Sequence, residues 1–174
     1  MSRVAVIFGL VVNFGSDEQA AEVAREVVRD AGQVKVRDVP FPLGDPFVTR
    51  INTGSGHYIE FSVYPYGLGF GRPGPKPSLD PRSLTREEIS GVGDALYEIL
   101  HGFSAYRAAI VGWNTESLVD VDDLESDWQR GEPPDYDGLV LSDDLYERWG
   151  LGSGWLPFDD GHHWFPYSGS ENFW

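Results

Sequence analysis

The chain has 174 residues, of which 41% are hydrophobic and 14% aromatic, and its formal net charge is −15. This composition excludes a disordered chain, and the length favours one domain with a core of its own. Because the chain has no cysteine, it forms no disulfide, no zinc site with Cys ligands and no thiol nucleophile. We expect a protein of the reducing cytoplasm.

The N-terminal segment predicts a buried strand followed by a helix. The stretch "RVAVIFGLVVNF" is continuously apolar and β-branched, and it lacks the small-residue cleavage site of a signal peptide. Ser16 and Gln19 have the spacing of a capping box, and small apolar residues then recur at helical intervals up to Gly32. The alternating stretch "QVKVRDV" predicts a second strand.

Two segments rich in Pro and Gly surround the third predicted strand. The segments "PFPLGDPFVTRINTGSG" and "GLGFGRPGPKPSLDPRS" predict long loops, and "HYIEFSVYPY" between them is typical of a strand. The second loop is not a phosphate-binding loop, because it lacks Lys-Ser/Thr and has prolines where a helix would begin. Thr85 and Glu88 predict a capping box for a second helix that ends near Gly102, and "YRAAIVGW" predicts a fourth strand.

This order of elements, β-α-β-β-α-β, predicts a ferredoxin-like α+β fold over residues 1–113. Two helices would cover one face of a four-stranded antiparallel sheet. Residues 114–174 are predicted to form an extension of short helices and a β-hairpin that packs on this core, so that the whole chain is one domain. The fold is used by many unrelated proteins and therefore says little about activity.

The negative charge is concentrated in the last third of the chain. Residues 1–113 contain 11 Lys or Arg and 13 Asp or Glu. Residues 114–174 contain 2 Lys or Arg and 15 Asp or Glu. We expect no direct contact with nucleic acid or with anionic lipid, since both need an excess of Lys and Arg. We also expect no membrane partner, because no segment approaches the roughly 20 apolar residues of a membrane span.

All 6 tryptophans lie in the range Trp113–Trp174, and we expect at least half of them in the core. The stretches "DDLESDW" and "DDLYERW" predict short helices with acidic N-termini, capped by Asp120 and Ser142. The simplest interpretation is a solvated acidic face. The functional one is a protein interface, because tryptophans supply binding hot spots and carboxylates steer a basic partner. The residues predicted to contact such a partner are Asp120, Asp122, Asp123, Asp127, Trp128, Asp135, Asp137, Asp143, Asp144 and Trp149.

The stretch "FDDGHHWFPY" allows two interpretations, a metal site or a hairpin. Asp159, Asp160 and Gly161 lie between aromatic runs, as in a hairpin turn. On a strand, His162 and His163 would point to opposite faces and would not bind one metal ion together. We therefore predict a hairpin, with no metal and no cofactor. The candidate ligands, if a metal binds, are His162, His163, Asp159 and Asp160.

The segment "GLVLSDDLYERWG…GWLPFDDGHHWFPYSG" resembles small bacterial immunity proteins of polymorphic toxin systems, in its acidity, tryptophans, short capped helices and aromatic tail. Members of that class are cytoplasmic α+β proteins that bind and block a cognate toxin. The resemblance covers roughly Trp113–Trp174. It implies a stoichiometric inhibitor and not a catalyst, whose basic protein partner would be a nuclease-type toxin.

Two alternatives come from other classes of protein. One is a hydrolase-like or metal-dependent enzyme, with a cleft between the predicted sheet and the C-terminal segment. Its candidate residues would be His57, His101 and His162 with nearby carboxylates, and a bound metal or a deep pocket would favour it. The other is a structural or self-assembling module, which an exposed sheet edge or a large apolar patch would favour.

Overall fold

The computed structural model describes residues 7–68, 79–132 and 137–168. They form an α+β structure with nine strands and four helices. The strands are β1 (Phe8–Asn13), β2 (Gln33–Val36), β3 (Val39–Pro42), β4 (Phe47–Asn52), β5 (His57–Val63), β6 (Ala108–Trp113), β7 (Leu139–Ser142), β8 (Leu156–Asp159) and β9 (His162–Trp164). The helices are α1 (Glu18–Ala31), α2 (Arg86–Leu100), α3 (Val121–Gln129) and α4 (Asp143–Arg148).

Seven strands form one antiparallel sheet in the order β4-β5-β1-β6-β7-β9-β8. β1 lies inside the sheet, third from the β4 edge, and all six of its residues are buried. Leu10 is opposite Val63 of β5 on one side and Val111 of β6 on the other. A strand covered on both faces has no solvent side, which explains why this segment is continuously apolar.

The predicted ferredoxin-like arrangement of four strands is not confirmed, because the sheet is larger and its second strand is a different one. The predicted second strand, β2, lies outside the main sheet, and within the described ranges it pairs with β3 alone. Arg37 and Asp38 connect the two with φ angles of 49° and 63°, as in the tight turns that match strand twist. A local hairpin of this kind closes with little loss of chain entropy, which favours it over pairing with the main sheet.

The loop predicted from "PFPLGDPFVTRINTGSG" instead contains β3 and β4. Prolines 40, 42 and 46 made this segment resemble a loop. Two of them lie on β3, which among the described residues forms a strand ladder with β2 alone, and at an edge strand a missing backbone N–H is tolerated. The other predicted loop lies largely in residues 69–78, outside the described residues.

The two faces of the sheet are covered by different parts of the chain. Helices α1 and α2 pack with the β2–β3 hairpin on one face, where Leu10 and Val12 point. Helices α3 and α4 pack on the opposite face, where Val11 points. The expectation that the first two helices share a face is therefore confirmed. The opposite side of the sheet, which α3 and α4 cover, is called the α3–α4 face below.

The C-terminal part of the chain extends the sheet as well as covering it. β7 pairs with β6, and the β8–β9 hairpin continues the sheet beyond β7. The predicted hairpin turn is confirmed, since Asp159 is opposite His162 and its carboxylate accepts a hydrogen bond from the Gly161 N–H at 2.9 Å. Trp113, Trp149 and Trp155 are buried, so at least half of the tryptophans do belong to the core.

The helix-capping residues predicted from the sequence are confirmed in part. The capping box of Thr85 and Glu88 is confirmed. The first helix, however, is capped by Asp17 and not by Ser16: it begins one residue later, and the Asp17 carboxylate accepts from the Ala20 N–H at 2.9 Å. Ser142 stands at the start of α4, but it does not cap the helix backbone with its side chain.

No helix among the described residues could cross a membrane.

Candidate functional site

The acidic site begins at the N-terminus of α3. The Asp120 carboxylate caps the helix and accepts hydrogen bonds from the N–H groups of Asp122, at 2.9 Å, and Asp123. Burial raises the pKa of Asp120, and the negative charges of Asp123 and Asp122 raise it further, against the effect of the two N–H donors. The predicted partner residue Asp120 thus has a structural role.

The chain before α3 crosses the α3–α4 face to bring this helix into place. β6 ends at Trp113, and the following segment returns along the sheet until Val119, whose carbonyl accepts a hydrogen bond from the buried Asn13 side chain at 2.8 Å. Asn114 and Ser117 adopt φ angles of 52° and 65° on the way. The acidic N-terminus of α3 therefore lies at the end of the sheet where β1 terminates.

Asp122 attaches α3 to the turn between β4 and β5. Its carboxylate accepts hydrogen bonds from the Ser55 N–H at 3.0 Å and from the Ser55 hydroxyl at 2.6 Å. Hydrogen bonds from Ser55 and Thr53 lower the pKa of Asp122, and the charge of Arg107 adds to the effect. Arg107 also lies 3.9 Å from the Asp144 carboxylate, so that it stands between the acidic N-termini of α3 and α4.

A polar pocket of about 350 Å³ opens beside α3. Three acidic residues and one basic residue line it, together with two serines and two leucines. The basic residue, Arg130, is already paired with the Asp127 carboxylate and lies 3.8 Å from Glu132. Asp120 and Asp123 also line the pocket, and among its lining residues Arg130 is the one cation. The lining residues are Ser117, Leu118, Asp120, Asp123, Leu124, Ser126, Asp127 and Arg130.

Trp128 and Trp149 join the C-terminal ends of α3 and α4. The Trp128 indole N–H donates a hydrogen bond to the Trp149 carbonyl at 3.0 Å, and the two rings stack with centroids 6.3 Å apart. An ion pair between Arg148 and Glu125, at 3.8 Å, spans the same junction. Trp128 is half-buried, whereas Trp149 is 4% exposed. Of the two, only Trp128 therefore presents part of its ring to a partner.

The acidic residues of α4 have partners nearby. The Asp143 carboxylate lies 2.9 Å from His163 Nδ1. Asp144 accepts a hydrogen bond from the Ser142 hydroxyl at 2.6 Å. Of the remaining predicted contacts, Asp137 accepts hydrogen bonds from the Ser168 N–H and hydroxyl on the last described segment, and Asp135 lies outside the described residues.

The two adjacent histidines bind different partners. His162 is buried, with Nδ1 2.7 Å from Asp159 and Nε2 3.0 Å from the Tyr106 carbonyl, and its ring stacks on that tyrosine. His163 stacks on Tyr146 beside Asp143. The prediction that the pair points in opposite directions agrees with this geometry. Within the described ranges, no three His, Asp or Glu side chains converge on a point suited to a metal ion, and Asp160 is exposed.

The histidines of the enzyme hypothesis contact separate elements. His57 Nδ1 lies 3.1 Å from Arg50 on β4, and His101 stacks on Phe158 of β8 with centroids 4.2 Å apart. The ring nitrogens of His162 are both within hydrogen-bond distance of protein atoms. These three side chains therefore form no shared cleft.

The sequence analysis missed a buried carboxylate on the α3–α4 face. Glu60 on β5 is 7% exposed and accepts a hydrogen bond from the Tyr58 hydroxyl at 2.8 Å. Burial raises the pKa of Glu60, and the charges of Glu116 and Asp120 act in the same direction, against the hydrogen bonds from Tyr58 and the Ser117 backbone. The alternation of "HYIEFSV" does place Glu60 on one face with Tyr58, but a glutamate there suggests a solvent-exposed face.

We expect Glu60→Gln to make stability less sensitive to pH. The folded protein keeps the Glu60 proton at pH values where the unfolded chain has released it. The stabilisation by the protonated side chain is therefore full below pH 4.5 and is lost as the pH rises through the raised pKa. Glutamine keeps the acceptor for Tyr58 without the charge, so across this window the variant should gain stability relative to the wild type, by about 1.4 kcal/mol for each unit by which the fold raises the Glu60 pKa.

Urea unfolding at a series of pH values tests this expectation. The control is Glu98→Gln, an exposed carboxylate on α2 whose change should stay within about 0.5 kcal/mol. A difference between Glu60→Gln and wild type that does not grow with pH would contradict the role given to burial.

Comparison with known proteins found no matching family model, no matching curated protein and no matching solved structure.

Proposed function

We propose that the protein is an acidic protein-binding module that neutralises a basic protein partner, in the manner of a toxin inhibitor. One observation carries the proposal: the chain collects its acidic residues on the α3–α4 face. Residues 114–132 contain seven acidic residues and one basic residue, and α4 contains three acidic residues and one basic residue. Arg107 and Arg130 lie between carboxylates and Arg148 pairs with Glu125, so these three arginines compensate the charge only in part.

The geometry supports recognition of a cationic side chain at the pocket beside α3. Asp120 is fixed by its capping hydrogen bonds, and Asp123 follows it on the first turn of the helix. A Lys or Arg of the partner that enters this pocket would meet carboxylates held in place before binding, which reduces the entropy lost on association. Trp128, half-buried at the far end of the helix, offers an aromatic contact of the kind common in binding hot spots.

A nuclease-type toxin is the partner we propose, because such an enzyme needs a basic cleft for the phosphate backbone. A rigid acidic face inserted there competes directly with the substrate. Charges on the two proteins also attract each other before contact, so association should be fast at low ionic strength and should slow as salt shortens the screening length. A cytoplasmic site of action is part of this proposal.

The test compares two double variants with the same change in net charge on opposite faces. Asp123→Lys with Asp127→Lys reverses charge at the pocket. Glu22→Lys with Glu26→Lys does so on α1, across the sheet. We expect the first to slow association with the partner about ten-fold or more at low salt, and the second to have a much smaller effect.

The full chain is immobilised and used at low salt to capture the partner from a lysate of the cells in which the chain is naturally made. The association of the purified partner with each variant is then measured by surface plasmon resonance. Circular dichroism verifies that both variants fold. The proposal also requires that the purified partner loses nuclease activity when the chain is added in equimolar amount. Capture of no basic protein, equal effects of the two double variants, or undiminished activity would overturn it.

We further propose that β4-β5-β1-β6, with α1 and α2, is a ferredoxin-like unit enlarged by later strands. β4 pairs with β5, in the place that the second strand takes in a ferredoxin-like sheet. Both helices lie on one face of these strands, which supports this description.

A further inference from the structure

The two edges of the seven-stranded sheet differ in how they are protected. β8 at one edge has only four residues, includes Pro157, and shows a register shift against β9 between Pro157 and Asp159. Short length, proline and irregular pairing are devices by which proteins keep an edge strand from pairing with another chain. β4 at the other edge has six residues, "FVTRIN", and pairs with β5 without interruption.

The pairing of β5 shows which residues of β4 point their backbone N–H and C=O groups away from the sheet. The Ile59 N–H donates to the Gly15 carbonyl at 2.7 Å, and the Ile59 carbonyl accepts from the Phe14 N–H at 3.0 Å. Ile59 thus directs both main-chain groups toward β1. Because these groups alternate in direction along an antiparallel strand, the residues on either side of Ile59 direct theirs toward β4.

Thr49 and Ile51 are the β4 residues opposite those two positions, so their main-chain groups face β5. Val48, Arg50 and Asn52 therefore point their main-chain groups away from the sheet. In the part of the chain that the structure describes, β4 pairs with β5 alone. The strand is also accessible, because Thr49, Arg50 and Asn52 are exposed.

We infer that β4 is a self-association edge, at which a second copy of this chain pairs antiparallel with β4 across a two-fold axis at Thr49. A two-fold axis perpendicular to the sheet keeps each side chain on its own face, so only registers that place same-face residues opposite each other are allowed. In the Thr49-centred register, Phe47 is opposite Ile51 of the second copy, and Val48 is opposite Arg50. Val48 and Arg50 have outward main-chain groups, so they would exchange hydrogen bonds.

Charge and side-chain shape favour this register over its neighbour. A register centred on Arg50 would place two guanidinium groups directly opposite each other, which destabilises a strand pair. The Thr49-centred register avoids that contact and sets two threonines opposite each other. It also sets Phe47, which is 54% exposed, against a β-branched side chain, a favourable combination across strands.

The same contact predicts how association responds to salt. Each copy has a net charge of −15, so two copies repel each other until the charges are screened. Self-association should therefore strengthen with added salt, whereas binding of a basic partner weakens. A contact between two strands lies at the small end of protein interfaces, and we expect a dissociation constant on the order of micromolar.

Sedimentation equilibrium of the full chain at low and high salt measures this association. The protein concentration runs from about 5 to 200 μM, because the size of the interface predicts a dissociation constant on the order of micromolar. The decisive pair of variants is Arg50→Pro and Arg50→Ala. Both lose the contact with His57, but only proline removes the outward N–H. We expect Arg50→Ala to dimerise like the wild type and Arg50→Pro to dimerise at least about ten-fold more weakly, with folding verified by circular dichroism.

A cross-link tests the register without relying on proline. The chain has no cysteine, so Thr49→Cys introduces a single thiol at the two-fold axis, where the Cα atoms of the two copies should lie about 4.5 Å apart. Under mild oxidation we expect a disulfide-linked dimer. The control, Asn52→Cys, has an equally exposed thiol on the same strand whose counterpart is distant in this register, and it should cross-link far more slowly.

A chain that stays monomeric at high salt and 200 μM, on the order of one hundred times the expected dissociation constant, would overturn the inference. Equal dimerisation of Arg50→Pro and Arg50→Ala, or equal cross-linking of the two cysteine variants, would do the same. A monomer whose β4 amides become protected from exchange only when a foreign protein is added would assign the edge to that protein and not to a second copy. The inference does not depend on the proposed inhibitor function, and the opposite salt dependence keeps the two distinguishable.

Discussion

Gly138→Ala is expected to destabilise the protein by about 2–5 kcal/mol, through backbone strain and overpacking together. Gly138 stands just before β7 with φ 89°, a conformation that alanine rarely adopts. A Cβ atom there would overlap the Val111 carbonyl oxygen and lie 3.0 Å from the Tyr97 hydroxyl. Its main chain is also engaged, since its N–H donates to Phe165 and its carbonyl accepts from Tyr97 at 2.8 Å.

The control for Gly138→Ala is Gly131→Ala, beyond the end of α3. Gly131 has a similar φ of 82°, but a Cβ atom would meet nothing within 4 Å. Only the backbone strain of about 1–2 kcal/mol should then be seen. Urea unfolding of both variants separates strain from overlap, and equal losses would show that the close approach of β7 to β6 is not rigid.

Trp149→Ala is expected to lower the free energy of unfolding by about 3–5 kcal/mol, the usual effect of removing a buried tryptophan ring. The Trp149 ring is buried in the core of the α3–α4 face and stacks on Trp128. Its removal would leave a cavity where the C-terminal ends of the two helices meet. Trp149→Phe retains part of that contact and should lose much less.

The same variant tests the prediction that Trp149 contacts the partner. If its role is structural, partner binding by the folded fraction of Trp149→Ala should be nearly normal once unfolding is accounted for. Unchanged urea unfolding combined with a large loss of affinity would instead identify Trp149 as a surface hot spot and contradict its place in the core.

The strands that could be predicted are those whose apolar pattern is not interrupted. β1, β5 and β6 have long buried patterns, and the Thr85 capping box marks the start of α2. β3 and β4 could not be predicted from the sequence. Prolines interrupt the pattern of β3, and another proline directly precedes β4. The turn at Arg37 and Asp38 has positive φ angles without the Asn-Gly or Asp-Gly pair that normally signals them.

For the site, local chemistry could be predicted and long-range contacts could not. Asp120 was expected as a helix cap, because capping depends only on residues that follow it closely in sequence. The attachment of Asp122 to Ser55 joins residues 67 positions apart, and no local pattern indicates it. The buried Glu60 is an exception to the polarity rule for strands, stabilised by the hydroxyl of Tyr58, and only the fold reveals it.

During synthesis, β1 emerges long before the two strands with which it pairs. Val12 of β1 pairs with Phe61 and with Ala109, so the ribosome adds nearly a hundred residues between β1 and its second partner. At about 5–20 residues per second, this interval lasts roughly 5–20 seconds. Throughout it, at least one edge of an apolar strand that ends up buried on both faces is unpaired, and such an exposed edge favours aggregation of the nascent chain.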